Sequence, residues 1–359
     1  MRILQVVPGS YEIGGGGLPE HVRNISERLA KRHDVTVYAT NRGGMLPRYE
    51  LARGVKVERF KRYAPSGAYF FSLEMILKLN KAEFDIVHAH CYHGLPMHFA
   101  SLAKCKKLVV STHFHGAAHS PFRESLFRLF KPFGKKILER ADNIIAVSEF
   151  EKSLLCKQFK LQQQKISVIP NGVNLREFAG LKHHERGFKS ILYVGRLESY
   201  KGVQYLLEVL PRLGDNVVLE IVGKGPLRKA LENRAKQLEV HNRVRFFENL
   251  PRRELLQKYF DTDVFVLLSR YEAYSLAVAE ALAADAPSIV TSTSALSEWI
   301  DNESCFGVEY PVRLSELARI IKKVFDGSRI SSGAGKKWLG TKIPDWNAVV
   351  QQLEYVYAR

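Results

Sequence analysis

The chain has no uninterrupted apolar run near the roughly 18 residues that a membrane-crossing helix needs, so no transmembrane anchor is expected. Cysteine is scarce: Cys91, Cys105, Cys156 and Cys305 are scattered, and no two form a CxxC pair. That spacing gives no basis for a thiolate metal site or a disulfide framework, and buried thiols in a reducing cytosol are expected. Residues 1–7 read as a buried strand, too short and too poorly flanked for a secretory leader. Low-complexity tracts are missing, as are zinc-finger spacing, an aromatic RNA-binding signature and a basic heptad region, so nucleic acid is not an expected partner. Acidic residues are the last shortage: 37 Asp and Glu stand against 54 Lys and Arg, a formal net charge of +17.

That excess is uneven. Residues 1–140 hold 23 Lys and Arg against 11 Asp and Glu, which places +12 of the +17 in the first part of the chain. Such a surplus favours anionic partners. With nucleic acid set aside, an anionic membrane surface or a phosphate-bearing lipid fits. Two segments interleave cations with apolar and aromatic residues: 59–78, with Arg59, Lys61, Arg62, Phe70, Phe71, Met75 and Lys78, and 121–140, with Phe122, Arg123, Phe127, Arg128, Phe130, Lys131, Phe133 and Lys136. Stretches of this kind lie in a membrane interface, each cation contributing roughly 1 kcal/mol near an anionic surface. The plainer alternative is a pair of helices whose phenylalanines pack inward while their lysines are solvated.

A length of 359 residues with 46% hydrophobic and 25% charged residues suits an ordinary globular chain with two cores. Apolar runs alternate with helical stretches throughout. Strands are expected at Ile3–Val7, Val35–Thr40, Val55–Arg59, Ile86–His90, Leu108–Thr112 and Ile144–Val147, then at Ile191–Val194, Val217–Val222, Val244–Phe247, Val264–Leu268 and Ser288–Val290. Helices are expected at His21–Lys31, Leu95–Lys104, Glu149–Gln158 and Trp346–Tyr357. The alternation indicates an α/β chain with two parallel, Rossmann-like sheets. The turn signal in Ile169-Pro170-Asn171-Gly172 puts a domain boundary there. The expected division is 1–171, 172–338 and a terminal segment 339–359, with 327–337 as a flexible loop.

The most telling stretch is Gly195-Arg196-Leu197-Glu198-Ser199-Tyr200-Lys201-Gly202, a loop between a strand and a helix. It aims two cations at a strand's carboxyl end, where an Arg fork and a Lys point charge suit a diphosphate. Glu272 follows a later apolar run, and Glu280 lies about two turns into the next helix. Carboxylates that accept from sugar hydroxyls, beside cations that hold a diphosphate, describe a nucleotide-sugar site. A glycosidase acid/base pair is the competing reading of two carboxylates, and it leaves the cations idle. Gly16 and Gly17 open the first helix, where glycine allows close ligand approach and a helix N-terminus attracts anions. His113, His115 and His119 cluster in sequence, and no metal site is expected from them. Asp261-Thr262-Asp263 precedes a strand and reads as turn chemistry, again without a metal.

Taken in order, these segments resemble the retaining GT-B glycosyltransferases of family 4 over nearly the whole chain. Further matches are Gly16-Gly17-Leu18-Pro19-Glu20-His21-Val22, Ser111-Thr112-His113, Ala141 to Ser148, Ile169 to Val173 and Ile221 to Leu227. The resemblance implies a GT-B fold, two Rossmann-like domains with sheets facing across a cleft. Residues 1–171 would take the acceptor, 172–338 the donor, and the helix in 339–359 would cross back to the N-terminal domain. It implies that His113, with His115 in reserve, contacts the donor sugar, that Glu272 binds sugar hydroxyls and that Glu280 binds the ribose. Arg196 and Lys201 would stabilise the departing diphosphate, helped by backbone N–H groups of Ser275 and Leu276, with Gly16 and Gly17 against the donor. No metal and no cofactor beyond the nucleoside diphosphate sugar are implied. The chain departs from the family at Ser275, Asp285 and Ser294-Ala295, where glycines are usual, so donor identity is not fixed by the motif.

The expected activity is a retaining hexosyl transfer (EC 2.4) from a nucleoside diphosphate sugar to an acceptor hydroxyl. The expected acceptor is a lipid-linked or phosphate-bearing glycan, met in the cytoplasm and peripherally at the inner face of the cell membrane. The alternatives are a nucleotide-sugar epimerase of similar fold, or a non-catalytic protein that binds a sugar nucleotide or a membrane.

Overall fold

A computed structural model describes residues 1–11, 16–41, 46–63, 71–116, 121–327 and 337–359. The chain separates into two units, the first Met1–Gly172 with Trp346–Arg359 and the second Val173–Asp345. In the first, eight strands form one sheet: β1 Arg2–Val6, β2 Asp34–Asn41, β3 Tyr49–Ala52, β4 Val55–Lys61, β5 Glu83–His90, β6 Lys104–Ser111, β7 Asn143–Ala146 and β8 Ile166–Val168. Their order is β3-β4-β2-β1-β5-β6-β7-β8. Every pairing is parallel except β3 with β4, an antiparallel edge hairpin. The second unit carries β9 Lys189–Val194, β10 Val217–Val222, β11 Val244–Phe247, β12 Val264–Leu267, β13 Ser288–Thr291 and β14 Cys305–Val308. That sheet runs β11-β10-β9-β12-β13-β14, parallel throughout.

Parallel strands are covered on both faces, so their sequences are near-continuous apolar runs. Ile3, Leu4 and Val6 of β1 and Val264, Phe265 and Val266 of β12 are fully buried in this way. Helices supply the cover. In the first unit α1 (Gly17–Leu29) buries Val22, Ile25 and Leu29. It packs against a helix at the chain's end, Trp346–Ala358, which buries Val349, Val350 and Leu353. The helix Glu149–Phe159 is started by Ser148, whose hydroxyl accepts from the Glu151 N–H, a standard N-cap.

Several boundaries differ from the sequence expectation. The terminal segment joins the first unit at Trp346 and not at 339, because the Val173 N–H donates to the Pro344 carbonyl at 2.9 Å and keeps the preceding residues with the second unit. The helix expected at 95–104 stops at Phe99, followed by one 3-10 turn, and β6 begins at Lys104. Lys104 and Lys106 point to solvent in alternation, a strand period hidden by their charge. β3 escaped notice because it is an exposed edge with no apolar run. β8 and β14 are only 3 and 4 residues long.

Segment 59–78 is not one helix. Arg59 lies on β4, buried, donating to the Tyr11 carbonyl at 2.9 Å and to Glu50. Residues 64–70, including Phe70, fall outside the described residues, as do Gly14 and Gly15, His119 and most of the loop expected at 327–337. Segment 121–140 is a helix, Pro121–Arg140. Phe127 and Ile137 are buried, whereas Leu129 and Phe133 stand out in solvent beside Arg128 and Lys136. Among the described residues no helix is long and apolar enough to cross a membrane.

Candidate functional site

In the second unit, the chain leaves β9 at Val194, turns through Ser199–Lys201 and enters the helix Val203–Val209. Two close approaches fix this path. Gly202 has φ 74°, and a Cβ there would lie 2.2 Å from the Leu268 carbonyl oxygen. Gly223 lies under the same loop, where a Cβ would meet the Gly195 carbonyl at 1.9 Å. Cross-loop hydrogen bonds complete the seat: the Leu197 N–H donates to the Lys224 carbonyl at 3.0 Å, and the Arg270 N–H to the Tyr200 carbonyl at 2.7 Å. The loop after β9 is thus clamped to those after β10 and β12. Gly202→Ala is expected to lose at least about 2 kcal/mol of stability, since the backbone strain and the contact with Leu268 add. A fall in Tm of a few degrees or more checks this, and an unchanged Tm contradicts it.

This clamping delivers Lys201 to Glu272. The Lys201 ammonium sits 2.6 Å from Glu272 Oε1, both side chains mostly buried. The Ser269 hydroxyl donates to the same oxygen at 2.9 Å, and the Glu272 N–H donates to Ser294 Oγ at 3.1 Å. Burial alone would lower the Lys201 pKa, but the Glu272 carboxylate, helped by Tyr200, outweighs it and raises the lysine's pKa above its usual value. Arg196, on the same loop, is close enough to Lys201 to oppose that rise. Its guanidinium is largely exposed and pairs with Glu198. Glu280 lies elsewhere in its charge network. Arg252 reaches it at 2.6 Å and also donates to Glu177 at 2.8 Å. Of the four expected charges, Lys201 and Glu272 meet directly, Arg196 stands at their rim, and Glu280 is held by Arg252.

Ser275 begins the helix Leu276–Ala283 and accepts from the Val278 N–H at 3.4 Å. Its φ is 84°, and Asp285 and Ser294 have φ 56° and 52°. All three replace residues that are glycine in the resembling family, and all three occupy left-handed backbone. The turn geometry a glycine would take without strain is therefore kept. Ser294 uses its hydroxyl to seat Glu272.

In the first unit Gly16, at φ 100°, precedes α1 and accepts from the Glu20 N–H, with Gly17 as the first helical residue. His113, two residues past the end of β6, has φ 46°. This left-handed turn sends His113 toward His21 and His90 and His115 toward His93, whose ring it stacks on at 4.9 Å. The ring centres of His21 and His113 are 4.9 Å apart, and those of His21 and His90 are 5.6 Å apart. One nitrogen each on His21, His90 and His113 lies within 4.8 Å of the other two. Burial lowers the His21 pKa to about 4, against a smaller opposing effect of Asn171, and holds His88, His90 and His113 well below the usual value.

Glu151 secures this arrangement. Fully buried, it accepts from the Thr112 hydroxyl and the Phe114 N–H, on either side of His113, and from the Val147 N–H at 2.7 Å. Burial raises its pKa to about 7 against the pull of those donors. The sequence reading missed His21, His90 and Glu151. Only the period-two pair His88 and His90, on one face of β5 at its carboxyl end, could have signalled the histidine group.

The sequence profile for Glycosyltransferase Family 4 matches residues 15–177, and that for Glycosyl transferases group 1 matches residues 180–334. An uncharacterized glycosyltransferase of Methanocaldococcus jannaschii is 29% identical over 333 residues, 80% of each chain. The GDP-mannose:cellobiosyl-diphosphopolyprenol alpha-mannosyltransferase of Xanthomonas campestris is 27% identical over 308 residues, 79% of this chain and 77% of the relative. Among solved structures, sucrose-phosphate synthase from Thermosynechococcus elongatus superposes with TM-score 0.82 at 20% identity, covering 99% of this chain and 98% of the other. HepE of Anabaena in complex with UDP-glucose superposes with TM-score 0.78 at 18% identity, covering 100% and 99%. With two parallel-sheet Rossmann-like units, and a clamped cation loop and its carboxylate partner where the family motif places them, the chain is a GT-B glycosyltransferase of family 4, group 1.

Proposed function

We propose that the protein transfers a hexosyl group from a nucleoside diphosphate sugar to an acceptor hydroxyl with retention of configuration. The observation that carries this is the Lys201–Glu272 pair, a fixed cation and a carboxylate presented together by three clamped loops. Lys201, kept charged by Glu272, is set to stabilise the leaving diphosphate as the glycosidic bond breaks. Prearranged charge of this kind usually lowers the barrier more than any other single effect in such catalysis. Arg196 is exposed and paired only across a solvent-facing contact, a weak attachment that a phosphate replaces readily. Backbone N–H groups of Ser275 and Leu276 add the positive end of a helix. Glu280, oriented by Arg252, takes the ribose hydroxyls, and Glu272 those of the sugar. The family resemblance gives His113, Gly16 and Gly17 of the first unit roles as donor contacts. No metal is needed, because the two cations offset the diphosphate charge.

The acceptor assignment rests on the basic first unit. Exposed Leu129 and Phe133 beside Arg128 and Lys136 form an amphipathic face suited to an anionic lipid surface. A lipid-linked or phosphate-bearing glycan, reached from the cytoplasmic side by a peripheral protein, fits that face. The Xanthomonas relative acts on a diphosphopolyprenol-linked sugar, and the HepE structure holds UDP-glucose, which gives this reading its support. Incubation with radiolabelled UDP-glucose, GDP-mannose and related donors, with and without lipid extract, tests it. The expected result is donor consumption only when acceptor is present, with an α-linked product from an α-linked donor. An isomerised donor without acceptor would show an epimerase, and tight donor binding without turnover would show a binding protein.

A further inference from the structure

The histidine group of the first unit has a property that sugar contact at His113 does not require. Nδ1 of His90 and Nε2 of His113 are buried without a hydrogen-bond partner, and the buried His21 ring beside them has only the Asn171 side chain near it. Buried polar atoms left unpaired are uncommon and costly. Two such atoms on adjoining imidazoles, with one nitrogen each of His21, His90 and His113 within 4.8 Å of the others, point to a ligand that accepts one lone pair from each ring. The tautomer of one is set from behind. His90 Nε2 is 2.7 Å from Gln5 Oε1, an acceptor, so Nε2 carries the proton and Nδ1 presents a bare lone pair to the group. Gln5 in turn donates to the Tyr357 hydroxyl at 3.3 Å, and His88 Nδ1 meets that hydroxyl at 2.7 Å. A ligating imidazole oriented by an outer hydrogen bond is the usual construction of a metal site.

We propose that His21, His90 and His113 form a binding site for one divalent late-transition-metal ion of the zinc class. Three imidazoles with a fourth position left to water are a common ligand set for such an ion. Bonds of about 2.0–2.1 Å in a tetrahedron place the donors about 3.4 Å apart. The present separations, up to 4.8 Å, close to that by small rotations of the rings. No acidic side chain belongs to the group, so hard cations such as magnesium are disfavoured. The site goes beyond the transfer reaction and does not depend on it. An ion there would occupy His113, so it would act as an inhibitor of turnover and not as a cofactor.

The test uses the full-length protein, stripped with a chelator, dialysed, and titrated with Co²⁺ in the absence of any nucleotide sugar. One equivalent should bind with the intense visible absorption of a four-coordinate cobalt ion, displaced by Zn²⁺. His90→Ala should abolish the band, and Gln5→Ala should weaken binding by about 10-fold through the freed tautomer. Changing His183 and His184, which lie together beside Asp261 in the second unit, should leave the titration unchanged. Circular dichroism establishes that each variant is folded, with His113→Gln as the substitute should His90→Ala unfold. No cobalt band in the wild-type protein, a band that survives these ligand substitutions, or one lost with His183 and His184 would overturn the proposal.

Discussion

Lys201→Ala is expected to lower kcat for sugar transfer by about 10²–10³-fold while the protein stays folded, as loss of one preorganised donor to developing charge commonly does. The ammonium is held directly against Glu272, at 2.6 Å and mostly out of water. Its removal leaves Glu272 Oε1 with the Ser269 hydroxyl. A part-buried carboxylate deprived of its charged partner costs about 1–3 kcal/mol, so a modest fall in Tm should accompany the kinetic loss. Lys201→Arg should not restore activity, because a planar fork does not fit a seat shaped for a point charge beside Tyr200. Arg196→Ala should cost less, since its side chain is exposed and its present ion pair is solvent-screened. Near-normal kcat in Lys201→Ala, measured at saturating donor, would remove the diphosphate role from this residue.

The second large effect is on stability against pH, read in the presence of a chelator so that the histidines are metal-free. His21 has its pKa lowered to about 4, and His88, His90 and His113 lie well below the usual value, burial being the first cause in each case. In the unfolded chain these groups titrate near ~6.5. The folded protein therefore refuses protons that the unfolded chain accepts. The stabilisation is complete above about pH 6.5 and is lost as pH falls toward 4. Glu151 works in the opposite sense. Its pKa is raised to about 7, so the share it contributes is present near pH 4 and is lost as pH rises through 7. With four histidines opposed by one carboxyl, the unfolded chain binds more protons than the folded protein over this interval, so stability falls with pH. Against a total stability of roughly 5–15 kcal/mol, Tm should drop steeply between about pH 6.5 and 5. His21→Asn should flatten the drop. A Tm that holds constant over that interval would show that the histidines are not buried as neutral groups.

How much of this was open to reading from the residues varied with distance along the chain. The strand–loop–helix that carries Arg196 and Lys201 was legible because its apolar run, its cations and its glycine are consecutive. The same holds for Ile3–Val7 and Val264–Leu268, whose burial on both faces leaves a near-continuous apolar signature, broken only by Gln5 in the first. Short or edge strands such as Tyr49–Ala52 leave no such trace, because their stability comes from a neighbour's hydrogen bonds and not from burial of their own side chains. The period of the helix Leu276–Ala283 could place Glu272 and Glu280 near one another in sequence terms only. It could not show that Arg252, from a different helix, takes Glu280.

By itself the sequence determined the alternating α/β plan, the family, and the positions at which cations and carboxylates leave their strands, since each of these is written in neighbouring residues. Tertiary structure alone decided which of those charges meet. Lys201 reaches Glu272 because Gly202 and Gly223 let three loops close on one another. His21, His90 and His113 face each other because α1, β5 and the turn after β6 converge, with Glu151 gripping the backbone beside His113. Such meetings depend on the register of packed elements, and no local pattern of residues encodes that register.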